Sequence, residues 1–99
     1  MLDLAPGKYF IVSRFASWSV WQFEQTASLF GRAGIDVKCD VRKRSVQTPD
    51  YEFRFTDAYS FYRKQLDGCR YTVIYDEEYE IILDKAIWDL EEKFKFKTL

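Results

Sequence analysis

Three groups of residues in this 99-residue chain could do chemistry. The last quarter carries Asp76, Glu77, Glu78, Glu80, Asp84, Asp89, Glu91 and Glu92, and paired carboxylates are the material of general acid/base catalysis. Cys39 and Cys69 are thiols, able in principle to act as nucleophile or bridge. Arg42-Lys43-Arg44 is a run of three cations of the kind that meets phosphate. Against all three stands the absence of histidine, the commonest general base and metal ligand. Without histidine a Cys/His zinc site is impossible within one chain, and two cysteines cannot make a four-cysteine site. There is no P-loop, no G-x-G-x-x-G and no Ser-His-Asp set. A thiol here would depend on Lys or Arg alone for activation, and the carboxylates read most simply as a solvated, dipole-matched helix face. No metal, no cofactor and no enzymatic activity is expected.

The acidic segment carries a second signal. From Asp76 to Phe94, Tyr79, Leu83, Ala86, Leu90 and Phe94 recur at helical spacing and predict one inward face. Ile81 and Trp88 lie seven residues apart on roughly the opposite face, among Glu77, Asp84, Glu91 and Glu92. An apolar pair ringed by charge is the composition of a docking surface. The helix expected from Ser19 to Ala33 repeats the pattern. With Val20, Phe23, Ala27 and Phe30 inward, Trp18 and Leu29 point away and Trp21 lies to one side. Two fates are open for these extra apolar residues: mutual burial between the two helices, or a partner.

The elements that would position them follow from local pattern. Lys8–Arg14 is a near-continuous apolar run of central-strand type. Ser19-Val20-Trp21-Gln22 fits a capping box, and Gly34 suits the end of that helix. Ile35–Arg44 alternates, with Val37, Cys39 and Val41 inward, and predicts a half-buried strand. Ser45–Asp50 reads as a loop or turn. Tyr51–Phe55 alternates again. Asp57 can cap a short helix over Ala58–Leu66, closed by Asp67-Gly68. Arg70–Tyr75 is a fourth strand, and the tail Phe94-Lys95-Phe96-Lys97 alternates as a short added strand would.

The order β-α-β-β-α-β over residues 8–75 resembles the ferredoxin-like pattern, with the last helix appended. One α+β domain over 1–99 is expected, with an antiparallel sheet and two helices on one face. That strand order would hold strands two and four roughly 14 Å apart, so Cys39 and Cys69 are expected as free thiols. An RNA-binding sheet of this type displays aromatic rings. Here, exposing Tyr51, Phe53 and Phe55 would bury Glu52 and Arg54, so the rings are assigned to the core.

Charge is unevenly spread. Residues 1–75 hold eleven Lys/Arg and eight Asp/Glu, whereas 76–99 hold four and eight, for a net −1 overall. That total gives no general attraction to nucleic acid or anionic lipid. No stretch approaches the ~20 apolar residues of a membrane span, and Met1–Gly7 lacks a signal peptide's basic and apolar regions. A cytoplasmic protein is expected.

The leading expectation is a small non-enzymatic protein-interaction domain. It docks its acidic helix on a basic macromolecular partner through Ile81 and Trp88, with Glu77, Asp84, Glu91, Glu92 and Trp18 around them. In size and charge it resembles small phage-encoded inhibitors of host defence, such as anti-CRISPR proteins. A homodimer through Trp88 would oppose acidic rims unless they met Arg42–Arg44. The alternative is nucleic-acid binding through Lys38, Arg42, Lys43, Arg44 and Arg54.

Overall fold

Five consecutive residues, Tyr9 to Ser13, are buried, so both faces of the strand they form must be covered. In the computed structural model this strand, β1 (Gly7–Ser13), lies inside the sheet, as its apolar run predicts. The structure describes residues 2–64 and 71–97, with backbone alone for 62–64 and 94–97. The elements after β1 are α1 (Ala16–Arg32), β2 (Lys38–Asp40), β3 (Ser45–Gln47), β4 (Tyr51–Asp57), α2 (Ala58–Lys64), β5 (Thr72–Tyr75) and α3 (Asp76–Lys97). The sheet runs β2-β3-β4-β1-β5. β1 pairs parallel with β4 and with β5, while β2-β3-β4 is antiparallel.

The fold is therefore α+β with a mixed sheet, and the ferredoxin-like antiparallel sheet needs correction. Its origin is one turn. Ile35–Arg44 does not form one strand: the chain reverses after Asp40, and β2 and β3 make a hairpin joined by Val41–Arg44. Asp40 Oδ1 accepts the Lys43 N–H at 3.1 Å, and Arg44 takes a positive φ of 51°. Val41, expected inward, is 78% exposed, and Cys39 is exposed too. Val46, in the stretch read as a loop, is fully buried in β3. The extra reversal leaves the strands in the same neighbour positions but turns β4 and β5 parallel to β1. An antiparallel sheet became a mixed one through a single added hairpin.

Direction also sets the layers. The crossover from β1 to β4 and the crossover from β4 to β5 run in opposite senses along the sheet. A common right-handed sense then places their helices on opposite faces. Tyr9, Ile11, Phe53 and Phe55 pack with Phe23, Leu29 and Phe30 of α1 and Tyr79, Leu83, Ala86 and Leu90 of α3. On the other face Phe10 meets Phe61 of α2 at 6.0 Å and Tyr71 at 4.3 Å. Both faces are covered, rather than one.

The helix ends follow cap chemistry. Gly34, at φ 75°, closes α1 in a Schellman motif: its N–H donates to Gly31 O at 3.1 Å and Ile35 N–H to Phe30 O at 3.0 Å. Asp57 Oδ2 accepts the Ser60 N–H at 3.1 Å and caps α2. The start of α1 is corrected: it begins at Ala16 with no side-chain cap, and Ser19 lies inside, its hydroxyl donating to Ala16 O. The buried face is Ser19, Gln22, Phe23, Thr26, Leu29 and Phe30, so Leu29 turns in and Val20 turns out. The tail expected as a strand continues α3 through Lys97. The expected end of α2 and Cys69 lie outside the described residues.

Candidate docking surface and basic cleft

The rotation of α3 about its axis decides what it presents. Thr26 Oγ1 and Tyr79 OH are 2.7 Å apart between α1 and α3. Ser13 donates to Gln22 Oε1 at 2.9 Å, and Gln22 Nε2 reaches Asp76 O at 3.4 Å. Asp76 Oδ2 also accepts the Arg14 N–H at 3.2 Å. These polar links, of which Thr26–Tyr79 and Ser13–Gln22 are buried, and the inward face of Tyr79, Leu83, Ala86 and Leu90 fix the helix in one orientation.

Glu77, Ile81, Asp84, Trp88 and Glu91 then fall on one outer stripe at steps of four and three. All five are exposed, Ile81 by 72% and Trp88 by 62%, while Glu92 beside them is half-buried. Ile81 and Trp88 stand two turns apart, about 10 Å along the axis. Among the described residues, Glu77 is the one of these acids that forms an ion pair. Glu77 pairs with Arg14 at 2.6 Å, but both side chains are well exposed, so the pair contributes little.

Trp18, expected among the partner residues, is 43% exposed, and its ring meets Trp21 edge-on at 6.5 Å. Mutual burial therefore applies to Leu29 but leaves both tryptophans half in solvent. Ser17, Trp18, Trp21 and Glu80 line a groove of about 360 Å³ where α1 meets α3. Glu80 is one residue from Ile81, so the groove borders the acidic stripe. The sequence leaves Trp21 open to burial between the helices or to a partner, and Glu80 is not among the docking residues it suggests. Their proximity depends on how two helices pack, and no spacing along either helix carries that information.

The basic residues gather on a different part of the molecule. Lys38, Lys43 and Arg54 border one cleft together with Asp40, Glu52 and Tyr71. Arg42, Lys43, Arg44 and Arg54 border an adjoining one. Arg54 is half-buried rather than displayed: its guanidinium sits 5.4 Å from the Phe10 ring centre. The Arg44 guanidinium donates to the Ser19 hydroxyl. The Tyr71 hydroxyl donates to the Glu52 carboxylate, and burial followed by that bond raises the Tyr71 pKa. For Asp57, burial acts upward, but hydrogen bonds from Ser60 and the nearby Arg44 charge outweigh it and hold the carboxyl below its usual value.

Cys39 is an exposed free thiol. Among the described residues no three His, Cys, Asp or Glu side chains converge as a metal site, and no helix is long and apolar enough to cross a membrane. Comparison of the chain with protein-family models, curated proteins and solved structures finds no match.

Proposed function

We propose that this chain is a small non-enzymatic interaction domain that docks the outer face of α3 on a protein with a basic surface. The observation that carries the reading is the exposure of Ile81 and Trp88 on a stripe whose other members are Glu77, Asp84 and Glu91. A folded domain gains nothing from an indole held in water. At an interface its burial makes it one of the residues whose truncation costs more than ~2 kcal/mol. The flanking carboxylates would speed encounter with a basic surface and select against acidic ones. The groove at Trp18 and Trp21 extends the apolar area beside the stripe. A domain of this kind acts as an inhibitor or nucleic-acid mimic by occupying a basic groove, in the manner of a phage-encoded anti-defence protein.

The test is affinity capture from native lysate with the wild-type chain, the double variant Ile81→Ala/Trp88→Ala, and Arg42→Gln/Lys43→Gln. A partner of basic surface retained by the wild type and by the hairpin variant, lost with the α3 variant and weakened by salt, supports the reading. Identical retention by all three overturns it. Light scattering on the purified chain reports whether the occupant is instead a second copy.

A second reading, nucleic-acid binding, is favoured by the way Lys38, Arg42, Lys43, Arg44 and Arg54 converge on two adjoining clefts. Gel-shift titration at two salt concentrations tests it, and no binding at low salt removes it.

A further inference from the structure

The cleft bounded by Arg42, Lys43, Arg44 and Arg54 has a property that neither reading above requires. Among the described residues no carboxylate lines it; Phe10, Phe55, Thr56 and Ser60 complete the lining. Among the described residues the ion pairs are Arg14–Glu77 and Lys85–Asp3, so none of these four cations has an acidic partner at ion-pair distance. This concentration of positive charge occurs in a chain whose net charge is −1. Among the described residues the carboxylates of Asp57, Asp40 and Glu52 hold other partners, Glu52 the Tyr71 hydroxyl in the adjoining cleft. Asp57 accepts from Ser60 N–H at the start of α2 while feeling the Arg44 charge, and Asp40 accepts from Lys43 N–H in the hairpin turn.

Arg54 adds an independent sign. Its Nε is shut off from solvent and finds no acceptor among the described residues. The guanidinium rests over Phe10, which is itself 2% exposed. The half-buried guanidinium is thus short of one acceptor, a shortfall that an anion drawing the side chain toward the cleft would relieve. The cleft measures about 150 Å³, below the ~300–1,000 Å³ of sites for drug-sized ligands. It has room for one small group. Guanidinium forks match the oxygens of a tetrahedral oxyanion.

We propose that this cleft binds a single phosphate group. The proposal does not depend on the α3 docking reading. The group can come from a phosphorylated small molecule or from a polynucleotide backbone, and the recognition chemistry is the same.

Amide NMR titration of the full chain tests it, with inorganic phosphate, a 5′-mononucleotide and a short single-stranded oligonucleotide, each at constant ionic strength. Saturable shifts confined to Arg42–Arg44, Arg54, Thr56 and Ser60 are expected. Arg42→Gln/Lys43→Gln should weaken phosphate binding about tenfold or more. Both side chains are exposed, so the denaturation midpoint should stay put. Equal affinity for phosphate and mononucleotide assigns the site to the phosphate group of a small molecule. Tighter oligonucleotide binding, with a log–log salt slope steeper than about one, assigns it to a backbone phosphate. No saturable shift with any of the three, or binding unchanged in the double variant, overturns the proposal.

Discussion

Thr26 Oγ1 and Tyr79 OH lie 2.7 Å apart, both residues fully buried, where α1 meets α3. Burial pushes the Tyr79 pKa well above its usual value, so the phenol is protonated at neutral pH. Tyr79→Phe keeps the ring against Phe53 and Phe55 and leaves Thr26 without its partner. It should cost about 1–2 kcal/mol in urea denaturation. Tyr79→Phe/Thr26→Val should cost less than the two single changes together, because removing both polar groups leaves no unsatisfied atom.

The hairpin makes a sharper prediction, because one strand through Ile35–Arg44 and two strands with a turn place the same side chains oppositely. In the structure Val41 is exposed in the turn and Val46 is fully buried in β3. Val41→Ser should change stability by less than about 0.5 kcal/mol. Val46→Ala should cost about 2 kcal/mol. Equal costs at the two positions in guanidinium melts would rule out this hairpin.

Much of this fold was legible where the signal is local. The Tyr9–Val12 run, Gly34 at a helix end, Asp57 at a helix start and the Tyr79–Leu90 stripe each depend on a few neighbouring residues. What escaped depends on contacts far along the chain. Cys39 and Val41 alternate with charges as a strand would, and only the Asp40–Lys43 turn reveals the reversal. One missed reversal inverts β4 and β5. Ser19 imitates a capping residue, yet it is buried three residues into α1 with the Arg44 guanidinium on its hydroxyl. Polar residues on a buried helix face defeat a reading by hydropathy. The acidic stripe of α3 was legible for the reason its inner face was: a helix that fixes one side fixes the other. The groove of Trp18, Trp21 and Glu80 was not, because it joins two helices.

Exposure of the tryptophans can be measured without knowing any partner. Trp88→Phe and Ile81→Ala should each leave the denaturation midpoint within about 0.5 kcal/mol of wild type, because neither side chain is part of the core. Leu83→Ala, two residues from Ile81 and on the inner face, should cost about 2–5 kcal/mol. Acrylamide should quench a large share of the native fluorescence, and the share should fall in Trp88→Phe. A native spectrum resistant to quenching would contradict the placement of Trp88.

Asp57 links acid stability to one helix cap. Its folded pKa is lowered, so the stabilisation it contributes is present above the unfolded value of about 3.9 and is lost as pH falls through the folded value. Near neutrality Asp57→Ala should cost about 1 kcal/mol, for the lost cap on the Ser60 N–H. The gap between wild type and variant should hold from neutral pH down to about 4 and then close as the wild-type carboxyl protonates. Asp57→Asn, which can still accept from Ser60, should recover most of the loss and flatten the acid dependence. Thermal melts of the three proteins across this range check both statements. A gap that widened as pH fell toward about 4 would mean that the folded-state carboxyl is held above its unfolded value, with burial outweighing Ser60 and Arg44.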